Sequence, residues 1–135
     1  MLGLNDAMIR DKNFGIGVDI ENICRFRKLD MLDDNLFLNR VFTKNELDYC
    51  FSKDNPAQHL AARYAGKEAV IKALTSIGKI KLDYNSVEIC HNGNKAPIAR
   101  INDKNYQNLQ VNISLSHCKD KSMAFAAVIE DDKHE

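Results

Sequence analysis

Two stretches of this 135-residue chain set acids, bases and nucleophiles at spacings that chemistry can use. In Ala61-Ala62-Arg63-Tyr64-Ala65-Gly66-Lys67-Glu68-Ala69-Val70-Ile71-Lys72, the acid Glu68 and the base Lys72 stand four apart, so on a helix they share one face. That spacing alone describes an ion pair on a solvated face, worth roughly 0.2–0.5 kcal/mol, as well as it describes a site. In Ser114-Leu115-Ser116-His117, a hydroxyl stands beside an imidazole. Neighbours in a strand point to opposite faces and there is no G-x-S-x-G elbow, so a phosphate or nucleotide contact suits Ser116 and His117 better than a hydrolytic pair. Asp19 closes an apolar run, where an isolated aspartate most often serves a turn or a cap. Arg25, Arg27 and Lys28 put three positive charges into four residues, either a solvated face or a docking patch for an acidic partner. The four cysteines form no C-x-x-C pair, which removes zinc and redox-dithiol readings.

The elements that must position these groups follow from pattern. Phe14 to Ile20 is a short apolar run with β-branched residues and two glycines, the pattern of a buried strand whose far end delivers Asp19. Helical or irregular chain is expected from Asn22 to Leu38. Thr43-Lys44-Asn45-Glu46 has the spacing of a capping box and predicts a short helix to about Ser52. Asn55-Pro56-Ala57-Gln58 predicts an N-cap with proline at the first helical position, opening the longest helix, on the order of 30 Å, which ends at Gly78. Beyond it, SVEICH, the turn NGNKAP, PIARI, NISLSH and MAFAAVI read as short antiparallel strands. The fold class is α+β, one domain with a long central helix packed on an antiparallel sheet.

At about 100° per residue, Leu60, Tyr64, Ile71 and Leu74 make the core-facing stripe of the long helix, with Glu68 just off its edge. Ala61, Ala65 and Lys72 lie on the other side of Glu68, where another backbone or a ligand could approach closely. Lys67 falls inside the apolar stripe, where its charged head must snorkel out or meet an anion.

Composition excludes several classes. The 19 basic and 19 acidic residues cancel, which argues against a broadly basic nucleic-acid face. No apolar run approaches the roughly 20 residues that span a bilayer, and the N-terminal stretch lacks the apolar middle of a signal peptide. With unpaired cysteines, a soluble cytoplasmic protein is expected. Residues 1–13 read as a polar tail, 14–130 as the domain and 131–135 as a second tail.

Leu60 to Ala73 resembles the signature helix of the holo-acyl-carrier-protein synthases, the short bacterial-type phosphopantetheinyl transferases. The resemblance extends to Gly15-Ile16-Gly17-Val18-Asp19-Ile20 with Arg25 following, to Phe42-Thr43-x-x-Glu46 and to Ser114-Leu115-Ser116-His117. It departs at Asn92-Gly93-Asn94-Lys95-Ala96-Pro97, where the family usually has a loop like Asn-Gly-Lys-Pro.

The resemblance implies attack of a carrier-protein serine on the β-phosphorus of coenzyme A, with adenosine 3′,5′-bisphosphate leaving, in support of fatty-acid biosynthesis. It implies Mg²⁺ held by Asp19 and Glu68, with Glu68 also accepting the serine proton and Lys72 neutralising charge on the diphosphate. Arg63, Lys67, Ser116 and His117 are implied near the nucleotide, and Arg25, with Arg27 and Lys28, at the docking face for apo acyl carrier protein. It further implies a homotrimer with active sites between subunits. A coenzyme A binding module without chemistry and a metal-free acyltransferase with His117 as base are the competing readings.

Overall fold

The computed structural model describes residues 13–79 and 82–131. In chain order the elements are β1 (Asn13–Asn22), a 3₁₀ turn (Ile23–Phe26), α1 (Asn35–Val41), α2 (Lys44–Phe51), α3 (Pro56–Ser76), a second 3₁₀ turn (Tyr84–Ser86), β2 (Val87–His91), β3 (Pro97–Ile101), a third 3₁₀ turn (Lys104–Tyr106), β4 (Leu109–His117) and β5 (Lys121–Glu130). The expected N-terminal tail lies outside the described residues except for Asn13, which already pairs within β1. The expected C-terminal tail lies outside them beyond Asp131.

β1, β5 and β4 form an antiparallel sheet in that order, and β2 and β3 form a separate hairpin. β1 is longer than its apolar run because its polar ends also pair, Asn13 opposite Glu130 and Asn22 opposite Lys121. Along β1 the alternation puts glycine on one face and large apolar residues on the other. Gly15 and Gly17 face α3 so closely that a Cβ on Gly17 would stand 2.0 Å from the Ala69 carbonyl oxygen, and one on Gly15 2.3 Å from that of Ala73. From α3, Ala69 and Ala73 complete the contact, both fully buried. Of the lane beside Glu68, Ala61 and Ala65 are fully buried and Lys72 Cβ lies against Gly17, so it is packed and not open space for a ligand.

The Thr43 capping box forms as expected: Thr43 Oγ1 accepts from Glu46 N, and Glu46 Oε1 accepts from Thr43 N. The cap expected at Asn55 does not, since its side chain makes no capping bond and α3 starts on Pro56 alone. At the other end Gly78 takes φ +84°, and Lys79 N and Gly78 N donate to the Leu74 and Thr75 carbonyls at 2.9 and 3.0 Å. This closure leaves the left-handed residue to glycine, which lacks a Cβ penalty. Leu60, Tyr64 and Leu74 are buried as the stripe predicts, whereas Ile71 is only half-buried.

α3 runs through the middle of the molecule between two apolar clusters. Ile23, Phe26, Leu38 and Phe42 surround its first half, and Val87, Ile89, Ala126 and Val128 its second. The opposite face of the sheet is uncovered in this single chain: Phe14, Ile16, Val18 and Ile20 are 53–60% exposed, with Met123 and Phe125 beside them.

Candidate active site

Strand and helix run past each other so that Gly15 meets Ala73 and Gly17 meets Ala69. Two strand residues span about 6.7 Å and one helical turn about 5.4 Å, so Asp19 comes level with the turn bearing Ala65 and Glu68, and Lys72, one turn on, reaches back toward it. Lys72 Nζ donates to Asp19 Oδ1 at 3.1 Å and to the Val18 carbonyl at 3.0 Å. Asp19 is 10% exposed, and its Oδ2 is buried without a hydrogen-bond partner. Glu21 lies on the same strand face, accepts from Arg25 Nη1 at 3.0 Å, and is pushed up to about 7 by burial and then by the hydrogen bond and charge of Asp19.

Glu68 Oε1 accepts from Tyr84 Oη at 2.5 Å, which leaves its second oxygen uncommitted among the described residues. That bond, more than burial, pushes the Tyr84 phenol up. Tyr84 stacks on Tyr64, and the Arg25 guanidinium lies 5.0 Å from the Tyr64 ring. Asp19, Glu21, Arg25, Tyr64, Tyr84, Glu68 and Lys72 thus form one connected group, which joins the first strand, the long helix and the 3₁₀ turn after it.

Lys67 does not belong with the nucleotide cations. Its side chain is fully buried and its ammonium pairs with Glu46 Oε1 at 2.6 Å while donating to the Tyr84 carbonyl at 3.1 Å and to that of Val87. All three donors of the ammonium are spent. Glu46 in turn accepts from Ile89 N at 2.7 Å, so the pair ties α2, α3 and β2 together. Of the two fates open to a lysine in an apolar stripe, Lys67 meets an anion, and that anion is internal. Its net shift is downward, from burial.

Arg63 is 2% exposed and has no carboxylate partner among the described residues. Its guanidinium lies 4.1 Å from the Tyr49 ring, Nη2 approaches His91 Nδ1 at 3.3 Å, and Nε is buried with no partner. It separates two cavities. One, of about 250 Å³, includes Glu46, Glu88, Cys90 and His91 in its wall. The other, of about 200 Å³, includes Tyr49, His59, His91, Ser116 and His117. His117 Nε2 touches the Gln58 amide at 3.2 Å, and Ser116 and His117 are both exposed. The structure therefore brings Arg63, Ser116 and His117 together, apart from Asp19, Glu68 and Lys72.

Arg25, Arg27 and Lys28 are all exposed, and the chain beyond them exposes Leu32 and Leu36. The strand period of two puts Glu21 on the face of Asp19, a signal that the sequence reading leaves unused. Tyr84, Tyr49, His59 and His91 carry no local signal, because each reaches the site only through tertiary packing.

The sequence matches the family model of the 4′-phosphopantetheinyl transferase superfamily over residues 15–127. It is 43% identical over 117 residues to the holo-[acyl-carrier-protein] synthase of Chlamydia muridarum, covering 84% of this chain and 92% of that protein. It is 41% identical over 118 residues to that of Aquifex aeolicus, covering 84% and 96%. Among solved structures, the Helicobacter pylori holo-[acyl-carrier-protein] synthase in complex with coenzyme A superposes with a TM-score of 0.70 at 28% identity, covering 84% of this chain and 98% of that one. The Bacillus anthracis holo-(acyl-carrier-protein) synthase, in complex with CoA (3′,5′-ADP), gives 0.69 at 28% identity, covering 87% and 96%. With matches along nearly the whole chain and the same architecture, the chain belongs to the 4′-phosphopantetheinyl transferase superfamily, among the holo-[acyl-carrier-protein] synthases.

Proposed function

We propose that the chain transfers 4′-phosphopantetheine from coenzyme A to a serine of an apo acyl carrier protein, releasing adenosine 3′,5′-bisphosphate, with Mg²⁺ held by Asp19 and Glu68. The observation that carries the metal assignment is Asp19 Oδ2, a carboxylate oxygen buried without a partner. Such an oxygen is costly when left dry, and paired carboxylates are the donors a hard divalent cation takes. Glu21, raised to about 7 beside Asp19, donates to that carboxylate only when protonated. When bound, the ion neutralises charge on the diphosphate.

The remaining work falls to the chain's own groups. Glu68, steadied at Oε1 by Tyr84, accepts the serine proton on its uncommitted oxygen. Lys72 is half exposed, so its ammonium can turn from Asp19 toward the diphosphate as charge develops on the leaving phosphate. Arg63, Ser116 and His117 take the nucleotide end. The coenzyme A complexes of the two crystallised relatives support that substrate.

The assembly we propose is a homotrimer with active sites between subunits. Arg63 precedes Glu68 by five residues, about 140° round α3, so the carboxylates and the Arg63 cavity face different ways within one subunit. A neighbouring chain brings the two halves to one substrate. The apolar face of β1 and β5 is the surface such an assembly would cover. An acidic carrier protein docks at Arg25, Arg27 and Lys28, with Leu32 and Leu36 supplying apolar contact. Fatty-acid biosynthesis in the cytoplasm is the setting, and no helix of the described residues is long and apolar enough to cross a membrane.

The metal assignment is tested by titrating Mn²⁺ into wild type, Asp19→Asn and Glu68→Gln, followed by its paramagnetic resonance signal alongside transfer rates. Each variant should lose about tenfold or more in metal affinity with its circular dichroism intact. Wild-type metal affinity in both variants would refute the assignment.

A further inference from the structure

The cavity of about 200 Å³ beside the end of β4 is lined by Tyr49 of α2, His59 and Arg63 of α3, His91 of β2, and Ser116 and His117 of β4. No carboxylate lines it. The acids of the neighbouring cavity, Glu46 and Glu88, are engaged, Glu46 by Lys67 and Glu88 by Thr43 and Asn45. Lys53, beyond α2, lies 4.6 Å from the Tyr49 ring and adds a further positive charge. Next to Tyr49, Cys50 is a neutral thiol, pushed up to about 12 by burial.

Within this positive surround Arg63 is a buried cation with an unpartnered Nε–H. A guanidinium only donates, so in the 3.3 Å contact with Arg63 Nη2 the His91 Nδ1 must accept, which requires a neutral imidazole. Burial first, then the charges of Arg63 and Lys53, hold both His91 and His59 below the ordinary histidine value. A buried cation with an unpartnered N–H thus stands beside two imidazoles whose charged forms are disfavoured.

We propose that, when the phosphate monoester of the nucleotide lies in this cavity, His59 and His91 join Arg63 on it as imidazoliums, so that substrate binding takes up protons. The proposal rests on the coenzyme A reading given above. A dianion within a few ångströms outweighs the repulsion from Arg63 and Lys53 and favours the charged imidazoles. Arg63 then exchanges His91 for phosphate oxygens, a stronger charge-assisted pairing, and the freed Nδ1 takes a proton. The ligand does not mask the effect. A phosphate monoester has its second pKa near about 6, so above neutrality it arrives already as the dianion.

The test is calorimetric titration of the full chain with coenzyme A at about pH 7.5, in buffers of different ionisation enthalpy, beside dephospho-coenzyme A, which lacks the monoester. Coenzyme A should bind with net proton uptake and dephospho-coenzyme A with none. His59→Gln and His91→Gln should each reduce the uptake and weaken coenzyme A about tenfold near pH 6.5, converging with wild type near pH 8.5. Should a variant fail to fold, the imidazole resonances of the wild-type protein, titrated with and without coenzyme A, give the same answer. Those of His59 and His91 should move to higher pKa on binding. Binding without proton uptake, or equal uptake with both ligands, overturns the proposal and leaves the transferase reading intact. Failure of coenzyme A to bind at any pH overturns both.

Discussion

Gly17→Ala adds one methyl group where strand and helix backbones touch. The new Cβ would stand 2.0 Å from the Ala69 carbonyl oxygen, 2.7 Å from Ala73 N and 3.0 Å from Lys72 Cβ. Non-bonded contact is comfortable near about 3.5 Å, so β1 and α3 must separate by roughly 1 Å or more. Two of the three obstacles are backbone, so no rotamer change relieves them. Overpacking of this kind costs about 1–3 kcal/mol, and a drop in melting temperature on the order of 5–10 °C follows for a chain of this size. The same displacement carries Asp19 away from Lys72, and a misplacement of about 1 Å at a reacting centre can lower turnover roughly 100-fold. Gly93→Ala is the control, since a Cβ there meets nothing within 4 Å. Thermal melts by circular dichroism and initial transfer rates would be compared for wild type and both variants. A Gly17→Ala protein that melts and turns over like the Gly93→Ala control would refute the close-approach account of the site.

Glu46→Ala removes the partner of a fully buried ammonium and the acceptor of Thr43 N and Ile89 N, so urea unfolding should show a loss of about 3–5 kcal/mol. A loss below about 1 kcal/mol would contradict a structural role for the pair. On acidification, His59 and His91 act through depressed folded values: the unfolded chain binds more protons below 6.5, so their contribution to stability falls as pH drops through that value. Glu21, raised to about 7, acts in the opposite sense. The observable is therefore the difference between wild type and His59→Gln/His91→Gln, whose ligand-free stability should decline less from about pH 7.5 to 5.5, and identical slopes would contradict it. If the proposed trimer is covered at the exposed sheet face, Phe125→Asp should turn it into smaller species in sedimentation velocity and lower transfer with it. A fully active monomeric wild type would rule out sites shared between subunits.

How much of this was legible in the sequence depends on whether local pattern or tertiary packing decides the point. Periodicity and caps suffice for all five strands and for α2 and α3, because Thr43, Pro56 and Gly78 act within a few residues of themselves. The sequence also marks Lys67 as anomalous, but its partner Glu46 lies 21 positions away, and only the packing of α2 against α3 identifies it. The lane of Ala61, Ala65 and Lys72 beside Glu68 reads equally well as room for a ligand or for a backbone, and only the packed fold shows both alanines fully buried. Asp19 and Glu68 read as a strand-end acid and a helix acid until β1 is laid along α3. The histidine cavity is invisible beforehand, since His59, His91 and His117 come from three different elements.

The most direct measurement is intact-mass spectrometry of an apo acyl carrier protein after incubation with this protein, coenzyme A and Mg²⁺. The predicted result is addition of one phosphopantetheine per carrier, abolished when the carrier's acceptor serine is replaced by alanine and when Mg²⁺ is chelated. An unchanged carrier mass, across several carrier proteins and with a folded trimeric enzyme, would contradict the assignment.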